Sequence, residues 1–63
     1  MKVSKLKDYL VKLGVGEAQA QTILSTSSSY QDVIDQTREY LHLINAPVGI
    51  KILRLKSFIR NEK

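Results

Sequence analysis

Few side chains in this sequence are of types able to do chemistry, and they are scattered. His42 is the one histidine and there is no cysteine, so the imidazole and thiolate ligands that hold a transition metal are missing. Asp32 and Asp35 lie one helical turn apart, but beside a helix start, where free amide groups and the helix dipole account for carboxylates without any acid–base role. No nucleophile has a base at hand, and no glycine loop leads into a lysine that would cradle phosphates. The expectation is a non-catalytic protein without cofactor, metal or small-molecule substrate. What remains is recognition chemistry. Gln19, Gln21, Thr22 and Ser25 carry amides and hydroxyls, groups that pair with base edges or phosphates in a DNA groove. Lys5, Lys7, Lys12, Lys51, Arg54, Lys56 and Arg60 are cations of the kind that neutralise a nucleic-acid backbone or an anionic lipid.

The scaffold that must position these groups is small. A chain of 63 residues, 43% hydrophobic and 25% charged, has room for one core, so residues 1–63 are expected to form a single domain. A domain of roughly 60 residues buries only about 60% of its unfolded surface, which leaves little interior for a shielded cleft. Without cysteines, packing or self-association must supply the stability. No apolar run approaches the roughly 18 residues needed to cross a bilayer, and Lys5, Lys7 and Asp8 interrupt the N-terminal stretch where a signal peptide would be apolar. A cytoplasmic, intracellular protein with no membrane partner is expected, and Met1 is read as the start of a complete short gene product.

Charge is informative by position. Residues 1–16 hold four lysines against Asp8 (+3), residues 17–44 hold Glu17, Asp32, Asp35 and Glu39 against Arg38 (−3), and residues 45–63 hold five basic residues against Glu62 (+4), summing to +4. This order suits either a chain whose ends converge on a polyanion, or one whose acidic middle pairs with its own ends or with a second copy. An isoelectric point near 9.6 is compatible with nucleic acid without establishing it.

Periodicity predicts four short helices and no strand, a compact all-α bundle. Val3, Leu6, Leu10 and Leu13 fall on one helical face, with Ser4 as the cap and Gly14 as the stop. A second helix is expected from about Glu17, turning Ala20, Ile23 and Leu24 inward, followed by a polar loop at residues 25–29 that can also accept phosphate. Ser29 and Asp32 have capping-box spacing and open a third helix whose Val33, Ile34, Thr37, Leu41 and Ile44 share a face, until Asn45 and Pro47 end it. The fourth helix, residues 48–60, places Val48, Ile52, Leu55 and Ile59 on one stripe, with Lys51 and Arg54 to one side and Lys56 and Arg60 to the other. Ile50 and Leu53 fall off that stripe, which means a helix buried on two sides or an apolar strip offered to a partner; in so small a protein, central burial is favoured. Tyr9, Tyr30, Tyr40 and Phe58 can stack on bases, but aromatics at helical spacing more often fill a core or its rim.

The run from Leu10 to Leu24 resembles several families. Leu13-Gly14-Val15, with Ala20 and Ile23 behind it, is similar to the turn of a helix-turn-helix, although Leu10 stands where that family has a small residue. Gly14-Val15-Gly16 followed by Ala20 and Ile23-Leu24 resembles a helix-hairpin-helix, whose glycines admit a phosphate to the next helix's amides; Glu17 opposes that here. Leu13-Gly14-Val15, Gln19-Ala20, Leu24 and Val33-Ile34 resemble a ubiquitin-associated domain without its aromatic after the loop glycine. Gly49-Ile50-Lys51-Ile52-Leu53 is similar to the last helix of sterile-alpha-motif domains, which are interaction modules. A helix corner without function accounts for the same turn.

The leading expectation is a small DNA-binding protein, of the size of phage- or plasmid-type regulators, dimeric through Ile50 and Leu53. Helix two would present Gln19, Gln21, Thr22 and Ser25 to the groove, while Lys5, Lys7, Lys12 and the C-terminal cations touch phosphates. The competing expectation is a protein-interaction module or small protein inhibitor that works through helix surfaces. Burial of Gln19, Gln21 and Thr22 against helix four would favour it.

Overall fold

The computed structural model describes residues 3–62, with the side chains of Val3 and Glu62 outside the described set. Among the described residues there are four helices and no strand: α1 (Val3–Lys12), α2 (Glu17–Thr26), α3 (Tyr30–Leu43) and α4 (Val48–Glu62). Each helix packs on its chain neighbours and α4 closes back onto α1, so the four form a ring, with α2 and α4 at opposite corners. The core inside the ring is aliphatic, drawn from Leu6, Leu10, Leu13, Val15, Ala20, Ile23, Val33, Ile34, Leu41, Ile52, Leu55 and Ile59. Val3, expected on the α1 stripe, has its side chain outside the described residues.

The C-terminal ends of α1 and α3 use one backbone solution. At the end of α1, Gly14 takes φ +107, and the Val15 and Gly14 amides donate to the Leu10 and Val11 carbonyls (both 3.0 Å). At the end of α3, Asn45 takes φ +58, and the Ala46 and Asn45 amides donate to the Leu41 and His42 carbonyls (2.9 and 3.2 Å). These are Schellman closures, in which a left-handed residue turns the chain so that its own amide and the next satisfy the last helical carbonyls. Gly14 meets the conformational demand by having no Cβ; Asn45 meets it as a residue type that tolerates αL. At α1 a fourth helix helps, because the Lys51 ammonium donates to the Leu13 carbonyl.

The α2–α3 connection is shorter than expected. Ser25 and Thr26 belong to α2 and not to the loop. Their hydroxyls donate to the Thr22 carbonyl (3.0 and 2.9 Å), and the Thr22 hydroxyl to that of Ala18 (3.1 Å), so polar residues satisfy helix carbonyls where water would otherwise do so. Ser29 caps α3 as expected, accepting from the Asp32 amide (3.2 Å). The reciprocal bond moves one residue earlier, since the Asp32 carboxylate accepts from the Ser28 amide and hydroxyl (both 3.1 Å). Gln36 fastens the corner, donating to the Ser27 hydroxyl (3.1 Å), with its Oε1 3.0 Å from the Thr26 hydroxyl, whose single proton it shares with the Thr22 carbonyl.

Three expectations are corrected. Ser4 lies inside α1, which already includes Val3, and so does not cap it. Ile44 is 45% exposed, because α3 ends at Leu43 and the turn carries Ile44 off the inward stripe. Ile50 and Leu53 are 56% and 70% exposed, so α4 is not buried on two sides. The reason is numerical: in a ring of four helices α4 leans on α3 and α1, and among the described residues no further element covers its outer face.

One buried group lacks compensation. Thr37 is fully buried, and its hydroxyl finds no hydrogen-bond partner among the described residues. A hydroxyl that leaves water and gains no partner costs about 1–3 kcal/mol. Thr37→Val keeps the branched shape and removes that cost, so it is expected to raise the urea midpoint by an amount worth about 1 kcal/mol; a loss of stability would show that the hydroxyl is bonded.

Candidate functional site

The ring decides which of the candidate residues can act together. On α1, Lys7 is half-buried and pairs with Glu17 (3.4 Å), while Lys5 and Lys12 are exposed. On α2, Gln21, Thr22 and Ser25 face solvent, and Gln19 is half-buried beside Gln36, Glu39 and Tyr40 of α3, not against α4. The outward face of α2 is therefore accessible, although the Thr22 and Ser25 hydroxyl protons are already engaged within the helix.

On α4 the cations divide. Lys51 is half-buried and turned back to the α1 terminus, where a cation also complements the helix dipole. Arg54, Lys56 and Arg60 are exposed, and with Leu53 and Ser57 they line a shallow depression on the outer face. Ile50 and Leu53 stand in the first two turns of the same helix. This is the largest departure from a merely solvated helix: two aliphatic side chains in water, bordered by three guanidinium and ammonium groups.

The residues expected to read a duplex and three of the seven cations expected to hold its phosphates are not on one face. Gln21, Thr22 and Ser25 sit on α2, whereas Arg54, Lys56 and Arg60 sit on α4 at the opposite corner. The α1 lysines lie between them. Conversely, α1 packs on α4, so the two basic segments of the sequence converge, and Lys5, Lys12, Tyr9 and Phe58, with the carboxylate of Asp8 among them, border one surface at their junction. Tyr9 and Phe58 stack there at 4.3 Å with planes 12° apart, and the Tyr9 hydroxyl donates to the Arg54 carbonyl (3.4 Å), so these aromatics are rim packing. Tyr40 is half-buried against the core and Tyr30 is exposed.

No family model, curated protein or solved structure matches this chain.

Among the described residues no three His, Asp or Glu side chains are grouped as metal ligands, and no helix is long and apolar enough to cross a membrane. Two features were not foreseen. Leu43, 82% exposed at the end of α3, adds a further aliphatic side chain in solvent. Its signal was present, since it falls off the face that Val33, Ile34, Thr37 and Leu41 share. Lys51 as the cap of α1 had no local signal, because the two ends of that bond are 38 residues apart.

Proposed function

We propose that this chain is a small, non-catalytic protein-interaction module that works through the outer face of α4. The observation that carries this reading is the exposure of Ile50 and Leu53 on a helix whose opposite face, Ile52, Leu55 and Ile59, is core. Aliphatic groups left in water at the centre of a charged border are the anatomy of a protein contact, where burial drives association and the charged rim sets partner choice. Of Gly49-Ile50-Lys51-Ile52-Leu53, which resembles the last helix of sterile-alpha-motif domains, Ile50 and Leu53 belong to this same surface, while Ile52 is core.

The test is site-specific photocrosslinking. A benzoylphenylalanine at Leu53 is expected to yield discrete protein adducts in the cells that make the chain, and one at Gln21 none. Adducts from position 21 without any from position 53 overturn the reading.

A second reading has its own observation. Gln21, Thr22 and Ser25 are exposed on α2 after a glycine-closed turn, which suits DNA recognition by a small regulator. Anisotropy of labelled duplex DNA across a salt series tests it: binding that falls log-linearly with salt and loses sequence preference in Gln21→Ala with Thr22→Ala supports it, and no binding at low salt removes it.

A further inference from the structure

We infer that the α4 outer face is built for an acidic protein partner: a segment of another protein that presents one or two aliphatic side chains flanked by carboxylates. This rests on the reading of α4 as the interaction surface and specifies what docks there. The first argument is the state of the charges. Arg54, Lys56 and Arg60 form no ion pair among the described residues. The chain's own carboxylates in residues 17–44 are largely engaged elsewhere: Glu17 with Lys7, Asp32 with Ser28, and Asp35 with Gln31 and Arg38. Arg54, Lys56 and Arg60 are thus left for a ligand from outside, whereas Lys51 is held at the α1 terminus.

The second argument is what the other occupants would do. A second copy brings its own net charge of +4, and two-fold pairing through Ile50 and Leu53 would set Arg54 and its neighbours against their duplicates, which is repulsive. A nucleic-acid backbone would meet the cations but leave Ile50 and Leu53 without an apolar counterpart, since phosphates and sugars present polar surface. A lipid surface calls for a broad apolar face, whereas Ile50 and Leu53 are followed on this side of α4 by exposed Ser57 and Asn61. An acidic amphipathic segment satisfies both parts, with aliphatic burial at the centre and carboxylates on Arg54, Lys56 and Arg60.

Selection from a phage library of randomised helical peptides on the immobilised full chain tests this, and it requires no named partner. The expected binders combine Leu, Ile or Val with Asp and Glu. As synthetic labelled peptides they bind less tightly as salt rises, and about tenfold or more weakly to the Arg54→Glu, Arg60→Glu double variant. Leu53→Ser is expected to abolish their binding. Both variants change exposed residues, and unchanged thermal melts show that they fold. Neutral or basic binders that still depend on Leu53 overturn the acidic partner while leaving the α4 surface in place. Failure to recover binders, or binders indifferent to Leu53→Ser, overturns both. Tighter binding to phosphatidylserine vesicles or duplex DNA with the same variant sensitivity, or self-association in sedimentation that Leu53→Ser removes, also overturns the acidic protein partner.

Discussion

Leu55→Ala is expected to remove most of the stability of this protein, while Leu53→Ala, two residues away on the same helix, leaves it nearly unchanged. Leu55 is completely buried where α4 faces α3 and α1, whereas Leu53 is 70% exposed. Deleting a buried leucine side chain costs about 2–5 kcal/mol, as lost transfer energy plus the cavity left behind. A single core below roughly 70–80 residues rarely supplies more than about 3–5 kcal/mol. The cost is therefore of the same size as the whole, and the chain has no cysteine for a disulfide and, among the described residues, no metal ligand set to hold the ring together while the core is depleted. Truncating an exposed leucine changes little, within about 0.5 kcal/mol. Urea unfolding followed by far-UV circular dichroism reads both variants. Equal effects from the two would mean that α4 presents a different face to the core.

Gly14→Ala is expected to be the most damaging change at a residue that has no side chain at all. Its φ of +107 lies in a region that L-residues adopt only with strain, of order 1–3 kcal/mol. A methyl group there also meets the Lys51 ammonium at 3.0 Å, but that is the end of a flexible side chain, so the backbone term dominates. In a chemically synthesised chain, D-alanine at position 14 carries a positive φ without that strain and is expected to recover the stability that L-alanine loses. Gly49→Ala runs the other way. Gly49 sits in the first turn of α4 with nothing within 4 Å of an added Cβ, so alanine there is expected to stabilise by about 0.5–1 kcal/mol through a less flexible unfolded chain. If L-alanine and D-alanine at position 14 melt alike, the left-handed turn is not what ends α1.

Leu55→Ala and Gly14→Ala bear on the proposed function, because α4 presents Ile50 and Leu53 outward only if Leu55 and its stripe are held inward. Lys51 links the two regions: its ammonium reaches the carbonyl of Leu13, at the corner that Gly14 closes, from the first turn of α4. The corner whose residues resemble a helix-turn-helix or helix-hairpin-helix turn thereby also seats α4.

Local signals in the chain were sufficient for the four helices and for most of their ends. Gly14 and Asn45 are each read as stops because few other residues take a left-handed conformation, and Ser29 with Asp32 is read as a start because a hydroxyl placed there meets a free amide. The inward stripes of α1, α3 and α4 follow from 3.6-residue periodicity, with Thr37 correctly among them although its hydroxyl is unpaired. Short-range rules were less reliable at element edges. Ser25 and Thr26 look like loop residues by type, yet extend α2 because their hydroxyls bond back to it.

What the amino-acid sequence determined by itself, then, is much of what neighbours within about one helical turn set: helix number, the Ser29 cap, the stops at Gly14 and Asn45, and most of the apolar stripe on each helix, though not a cap at Ser4 or an inward Ile44. Only the tertiary structure decided which faces are left over. Ile50 and Leu53 are exposed because the ring closes with two neighbours for α4 and no third. The α2 amides and the α4 cations are parted because those helices stand at opposite corners, and Lys51 is drawn from the charged surface because the α1 terminus lies beside it. Periodicity gives each helix its apolar direction but says nothing of how many partners will come to cover it, since that number depends on contacts between residues far apart in the chain.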